Sequence, residues 1–139
     1  MRVFPDTNVL ASAFGTRGLC ADLLRLVLAE HELVTAEVVL TELRSVLGRK
    51  FGVPSGTVRE IEAFLRGYHV EPHPNDALKL KLRDRNDVLV VTSAVNANAE
   101  ILVTGDRELL NLRPKPAVLQ IVDPRTFWNL AAAKRKPEI

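Results

Sequence analysis

Two apolar runs of this chain each end in an aspartate. The segment MRVFPDTN leads into Asp6, and the segment EILVTGD leads into Asp106. Buried strands of a parallel α/β sheet deliver side chains in this way to the carboxyl edge of the sheet, where such sheets bind their ligands. The two runs therefore predict a pair of carboxylates at one edge of a sheet.

Three further acids are candidates to join that pair. Glu42 falls at the margin of an apolar helix arc, where a carboxylate is costly unless it is paired or bound to a metal. The segment RDRND contributes Asp84 and Asp87. Each acid alone has an ordinary explanation, as a helix cap or a solvated charge. Several acids at one edge without a counter-charge predict a bound cation.

The ligand types favour a hard cation. Carboxylate oxygens suit Mg²⁺ or Mn²⁺ better than zinc, and the histidines lack zinc-site spacing, since Pro72 separates His69 from His73. Two polar side chains are placed to support such a site: Asn8, two residues after Asp6, and Thr104, two residues before Asp106. A cation held by carboxylates favours phosphoryl chemistry, in which it activates water and stabilises charge on the leaving oxygen.

Composition fits one globular domain. The 139 residues are 47% hydrophobic and 26% charged, which is ordinary for a folded protein and argues against disorder. No uncharged apolar run reaches the roughly 18 residues that a membrane-spanning helix needs. The early acid argues against a secretory signal, and the single Cys20 fits a reducing compartment, so a cytoplasmic location is expected. The net charge of +2 does not by itself predict nucleic-acid binding.

The elements that must position these acids alternate between strand-like and helical patterns, which predicts a parallel sheet with crossover helices. Asp123-Pro124 predicts the start of a last helix. The segment DVLVVTSAVNAN has strand propensity, yet its place between RDRND and EILVT favours a helix with Asp87 as N-cap.

The motifs DTNVLASAF, TAEVVLTELRSVL, RDRNDVLVVTSAV, AEILVTGDRELL and VDPRTFWNL, in this order, make the chain resemble the PIN-domain family. The resemblance is strongest to single-domain toxins of the VapC type. It implies a three-layer α/β/α sandwich with a central parallel sheet, filling residues 1–133 and followed by a short basic tail, 134–139. It also implies a metal-dependent ribonuclease that cleaves RNA and is paired with an antitoxin protein.

By motif position, the resemblance assigns catalytic roles to Asp6, Glu42, Asp87 and Asp106, which would hold Mg²⁺ or Mn²⁺ together with Asp84. Asn8 and Thr104 match supporting polar positions. Basic residues next to the acids are expected to contact phosphates: Arg44, Arg49, Lys50, Arg85 and Arg107. One departure is Pro5, which lacks a backbone donor and predicts a distortion at the end of the first strand.

Other functions are also compatible with these residues. A PIN-like module that binds RNA or protein without cleaving it would keep the same motifs. A metal-dependent phosphatase or a phosphoacceptor domain would also place acids at a sheet edge. The phosphoacceptor domain would need a lysine after the last strands, and Lys115, which lies between two prolines, is a poor candidate for it.

The apolar surface of two helical segments, ADLLRLVLAE and VREIEAFLRG, exceeds what one sheet can cover. PIN relatives commonly pair through helices, so the resemblance and this surplus together predict a homodimer.

Overall fold

The computed structural model describes residues 1–134 and contains one five-stranded, wholly parallel sheet. The strands are β1 (Arg2–Pro5), β2 (Glu32–Ala36), β3 (His69–Glu71), β4 (Ile101–Val103) and β5 (Gln120–Val122). The helices are α1 (Thr7–Gly15), α2 (Leu19–Glu30), α3 (Glu37–Phe51), α4 (Ser55–Leu65), α5 (Arg85–Asn96), α6 (Arg107–Leu110) and α7 (Pro124–Lys134).

In the strand order β3-β2-β1-β4-β5, the topological switch point lies between β1 and β4. The chain moves from β1 through β2 to β3 and then returns to β4 and β5 on the other side of β1. Right-handed crossovers that run in opposite directions place their helices on opposite faces of the sheet. The predicted three-layer α/β/α sandwich is confirmed. The carboxyl ends of β1 and β4 form the crevice in which open α/β sheets bind ligands.

Central strands are buried on both faces, which explains their continuous apolar runs. Val3 and Phe4 of β1 are fully buried, and so are Leu102 and Val103 of β4. Such strands have no solvent-exposed face, so polar residues do not alternate with apolar residues along them. Their first polar side chains therefore come at the strand ends, which is why both runs finish in an aspartate.

The expected distortion at Pro5 does not occur. Pro5 pairs with Val103 of β4, and the backbone N–H of Asp6 donates to the Val103 carbonyl oxygen at 2.8 Å. Pairing of β1 with β2 involves Arg2 and Val3 and ends before Pro5. Since successive residues of a strand direct their N–H groups to opposite sides, the missing donor of Pro5 falls on the β2 side, where pairing has already ended.

The valine-rich segment forms the predicted helix, α5, although its N-cap was predicted wrongly. The cap is Asp84, whose side chain accepts a hydrogen bond from the Asn86 N–H, so α5 begins before Asp87. Thr92, a poor helix former, donates its hydroxyl to the Val88 carbonyl oxygen at 2.7 Å. The same hydroxyl accepts the Leu78 N–H at 3.0 Å, so it serves tertiary packing.

The remaining helix predictions are confirmed in outline. α3 ends at Phe51, and its C-cap Gly52 adopts the left-handed conformation with φ 62° and ψ 25°. α7 begins at Pro124. Among residues 1–134, no helix is both long and apolar enough to cross a bilayer. The predicted basic tail lies outside the described residues except for Lys134, the last residue of α7.

Candidate metal centre

Asp6 is the most deeply buried acid at the topological switch point of the sheet, with 7% of its surface exposed. It is the N-cap of α1, and its Oδ1 accepts the Thr7 N–H at 2.8 Å. Its Oδ2 accepts the hydroxyl of Thr104 at 2.7 Å. Burial raises the pKa of this carboxyl, while the two hydrogen bonds partly oppose the rise.

Thr104 connects the two strand ends. While its hydroxyl donates to Asp6, the same oxygen accepts the backbone N–H of Asp106 at 3.0 Å. Thr104 is fully buried, so the hydroxyl has few other conformations to adopt. One side chain thus fixes the position of the first carboxylate relative to the loop that carries the second.

Asp106 and Asp84 each cap a helix with one oxygen. Asp106 Oδ1 accepts the Glu108 N–H at 2.8 Å at the start of α6, and Asp84 Oδ1 accepts the Asn86 N–H at 2.7 Å at the start of α5. Each carboxylate therefore has its second oxygen available for a ligand. In the sequence, helix capping and metal binding were alternative roles for Asp84 and Asp106. In the structure, each carboxylate can do both.

Glu42 reaches the cluster from α3. It is half-buried, as its place at the margin of the apolar arc predicts, and its Oε2 accepts a hydrogen bond from the Asn86 amide. Burial is the largest cause that raises its pKa, followed by the negative charge of Asp6. Asn86 was missed in the sequence, although it stands between the two acids of RDRND.

Asp87, in the first turn of α5, shows that the five acids form one electrostatic unit. Burial and the negative charges of Asp106, Asp84, Asp6 and Glu42, in that order, raise its pKa to about 7. Every one of these causes raises the value, and no basic side chain is among them. The acids that the sequence analysis assigned to one site therefore lie close enough to repel one another.

The cluster fits a hard divalent cation. Its donors are carboxylate oxygens, and a cation relieves the repulsion that raises the pKa of Asp87. The hydroxyl of Thr7, the residue after Asp6, is buried and has no hydrogen-bond partner within residues 1–134. Within the same residues, no three acidic, histidine or cysteine side chains already form a closed ligand set.

Other predicted residues lie outside this arrangement. Asn8 is exposed on α1 and makes no side-chain hydrogen bond within the described part of the chain. Arg44 forms an ion pair with Glu62 at 2.6 Å, which directs it toward α4. Lys115 lies beside Lys79 and Pro116, so the lysine that a phosphoacceptor domain needs is not among the acids. The His69 ring contacts Glu71 at 2.8 Å on β3.

Comparison with known proteins gives a family and a fold. Residues 2–108, which include all five acids, match the family model described as PIN domain. A similar solved structure is that of VapBC2 from Rickettsia felis bound to a DNA fragment from their promoter. The chains share 16% identity and a TM-score of 0.60, over 87% of this chain and 98% of the other, which shows a common fold. Comparison with curated proteins gave no match.

The raised pKa of Asp87 predicts how stability depends on pH in the absence of divalent cations. The unfolded chain binds this proton with the ordinary pKa of 3.8, and the folded chain with a pKa of about 7. Between these values the folded state binds more protons, so the free energy of unfolding falls as pH rises. After solvent screening the loss is of order 1 kcal/mol, or about 4 °C in melting temperature.

Melting curves from pH 5 to 8 test this prediction. Asp87→Asn is expected to flatten the decline, whereas Asp76→Asn, an exposed acid outside the cluster, leaves it unchanged. An equal decline in wild type and Asp87→Asn would contradict the assignment of the shift to Asp87.

Proposed function

Since the chain belongs to the PIN domain family, we propose that it is a metal-dependent ribonuclease. The observation that supports this most strongly is the carboxylate cluster at the crevice between β1 and β4, in which each acid raises the pKa of Asp87. The proposed ligands of Mg²⁺ or Mn²⁺ are Asp6, Glu42, Asp84, Asp87 and Asp106. A bound cation would activate water for attack on a phosphodiester and stabilise charge on the leaving oxygen.

The protein's own groups would prepare this reaction. Thr104 holds Asp6 by a hydrogen bond to Oδ2, and Asn86 holds Glu42 by a hydrogen bond to Oε2. Fixed carboxylates lose little rotational freedom when a substrate arrives, which lowers the cost of reaching the reactive arrangement. One carboxylate of the cluster would accept the proton of the attacking water.

The proposed partner is a cognate antitoxin. The similar solved structure is of VapBC2 bound to a DNA fragment from their promoter, and the resemblance to VapC-type toxins implies an antitoxin partner. By this analogy of fold, we expect a small DNA-binding protein encoded beside the gene to bind and inhibit this chain.

Loss of one acid is expected to abolish cleavage without unfolding the chain. Asp6→Asn and Asp87→Asn each remove a ligand charge, and cleavage of single-stranded RNA should fall roughly a hundredfold or more. The fold should survive because the substitution relieves repulsion between carboxylates. Asp22→Asn, at an exposed acid paired with Arg25, is the matched control. Folded Asp6→Asn protein with the wild-type cleavage rate would refute the site.

Metal binding gives a readout that does not depend on cleavage. Mn²⁺ should raise the melting temperature of the wild type, since a ligand that binds only the folded state stabilises it by about 2.7 kcal/mol at a hundred times its dissociation constant. Asp106→Ala should weaken Mn²⁺ binding in calorimetry.

Because Asp106 also caps α6, a second variant, Asp106→Asn, keeps a capping side chain and separates the two effects. No Mn²⁺-dependent shift in the wild type at millimolar metal would favour the alternative, a PIN-like module that binds without cleaving.

We further propose that the chain forms a two-fold homodimer. α2 buries Leu23, Leu24, Leu26 and Val27 inside the monomer, so less of its apolar surface is left over than the sequence indicated. The apolar surface that remains includes an aromatic row formed by α1, α4 and the turn that follows α4. Ring centroids of Phe14 and Phe64 lie 6.3 Å apart, those of Phe64 and Tyr68 lie 5.5 Å apart, and Phe64 is 44% exposed.

Light scattering after size exclusion tests the dimer. The wild type is expected at twice the chain mass, and Phe64→Glu at the chain mass, because a charge in an apolar interface has no partner. Val118→Glu changes an exposed apolar residue elsewhere, 72% accessible, and should leave the dimer intact. A monomeric wild type at tens of micromolar would refute the dimer and leave the nuclease assignment unaffected.

A further inference from the structure

Two segments that are distant in the sequence together line two cavities. Residues 78–80 and 114–116 line a cavity of about 230 Å³. Residues 81 and 83, which follow the first segment, and five residues between 107 and 113, which precede the second, line a cavity of about 370 Å³. We call the two cavities together the basic groove.

The groove carries a strong positive charge. Its lining includes six basic side chains and one acidic side chain, Glu108, which Arg83 binds through its Nε at 3.0 Å. The basic residues are Lys79, Lys81, Arg83, Arg107, Arg113 and Lys115. Within residues 1–134, the three lysines of the groove form no ion pair. Unpaired cations in a concave surface attract a polyanion.

The basic groove adjoins two of the proposed metal ligands along the chain. Asp84 directly follows Arg83 of the lining, and Asp106 directly precedes Arg107. Both lining segments therefore continue into acids of the carboxylate cluster.

Three cations lie on the exposed side of one wall. Lys79, Lys81 and Arg83 are exposed and alternate with leucines, of which Leu80 and Leu82 pack against the core. The Leu82 N–H donates to the Leu80 carbonyl oxygen at 3.0 Å, which makes a tight turn around Lys81. The Leu78 N–H, which donates to Thr92 of α5, anchors the start of the wall.

We infer that the basic groove binds the sugar-phosphate backbone of single-stranded RNA and leads it to the carboxylate cluster. The inference rests on the proposed function for the identity of the strand as RNA. Lys79, Lys81 and Arg113 contact phosphates, and the Asn111 side chain offers a donor and an acceptor to a ribose or base. An acidic protein segment is the competing occupant, but it has no reason to end at a cluster of acids.

The first test measures binding separately from cleavage. An Asp6→Asn background prevents consumption of a labelled, unstructured RNA of about 12 nucleotides. Adding Lys81→Ala and Arg113→Ala to this background should raise the dissociation constant roughly tenfold and reduce the slope of log K against log salt by about 1.4, because two phosphate contacts are lost.

The matched control removes two basic side chains elsewhere. Arg17→Ala and Arg59→Ala change exposed residues in the turn between α1 and α2 and on α4, the helix that leads into the far edge strand β3. This pair changes the net charge equally and should leave both measurements near their starting values. An equal loss in the control pair, or no loss in the groove pair, would overturn the inference.

A second measurement distinguishes this inference from the proposed function. In the wild-type background, the groove pair should raise KM for RNA cleavage and leave kcat nearly unchanged, since its side chains bind away from the reacting phosphate. RNA binding that depends on the groove in a protein that cleaves no RNA would refute the nuclease and support the groove. Groove-dependent binding of polyglutamate without binding of RNA would overturn the RNA assignment.

Discussion

Repulsion between carboxylates is the constraint on which this site depends. Five acids from four segments of the chain lie close together at one edge of the sheet, and repulsion from the other four contributes to a pKa of about 7 for Asp87. The fold tolerates this because Asp6, Asp84 and Asp106 each begin a helix, where the backbone N–H groups and the helix dipole favour negative charge. The same caps that stabilise the helices hold the acids beside one another.

The sequence predicted the acids because local patterns carry that information. A buried strand that ends in an aspartate is readable within a few residues, as it is for Asp6 and Asp106, and Glu42 follows from helix periodicity alone. The N-cap of α5 was misplaced because Asp84 and Asp87 are both good capping residues three positions apart. Element ends depend on such small differences in free energy, whereas the existence of an element depends on its whole apolar pattern.

Contacts between residues distant in the sequence could not be predicted from local patterns. The Asn86 amide contacts Glu42 across 44 residues, and the basic groove joins segments that are both ordinary loops in the sequence. The expected effect of Pro5 was wrong for a related reason. The effect of a missing N–H donor depends on which neighbouring strand it faces. The sheet order and register are needed to see that the pairing of β1 with β2 ends before Pro5.

The hydrogen bond from Thr104 to Asp6 spans 98 residues of sequence. During translation, Asp6 is therefore synthesised long before Thr104, whose hydroxyl orients its carboxylate. While the chain is being synthesised, α1 can form and Asp6 can cap it, yet the edge beside Asp6 stays open until β4 pairs with β1. The carboxylate edge of this scaffold is therefore complete only after β4 and Thr104 have been synthesised.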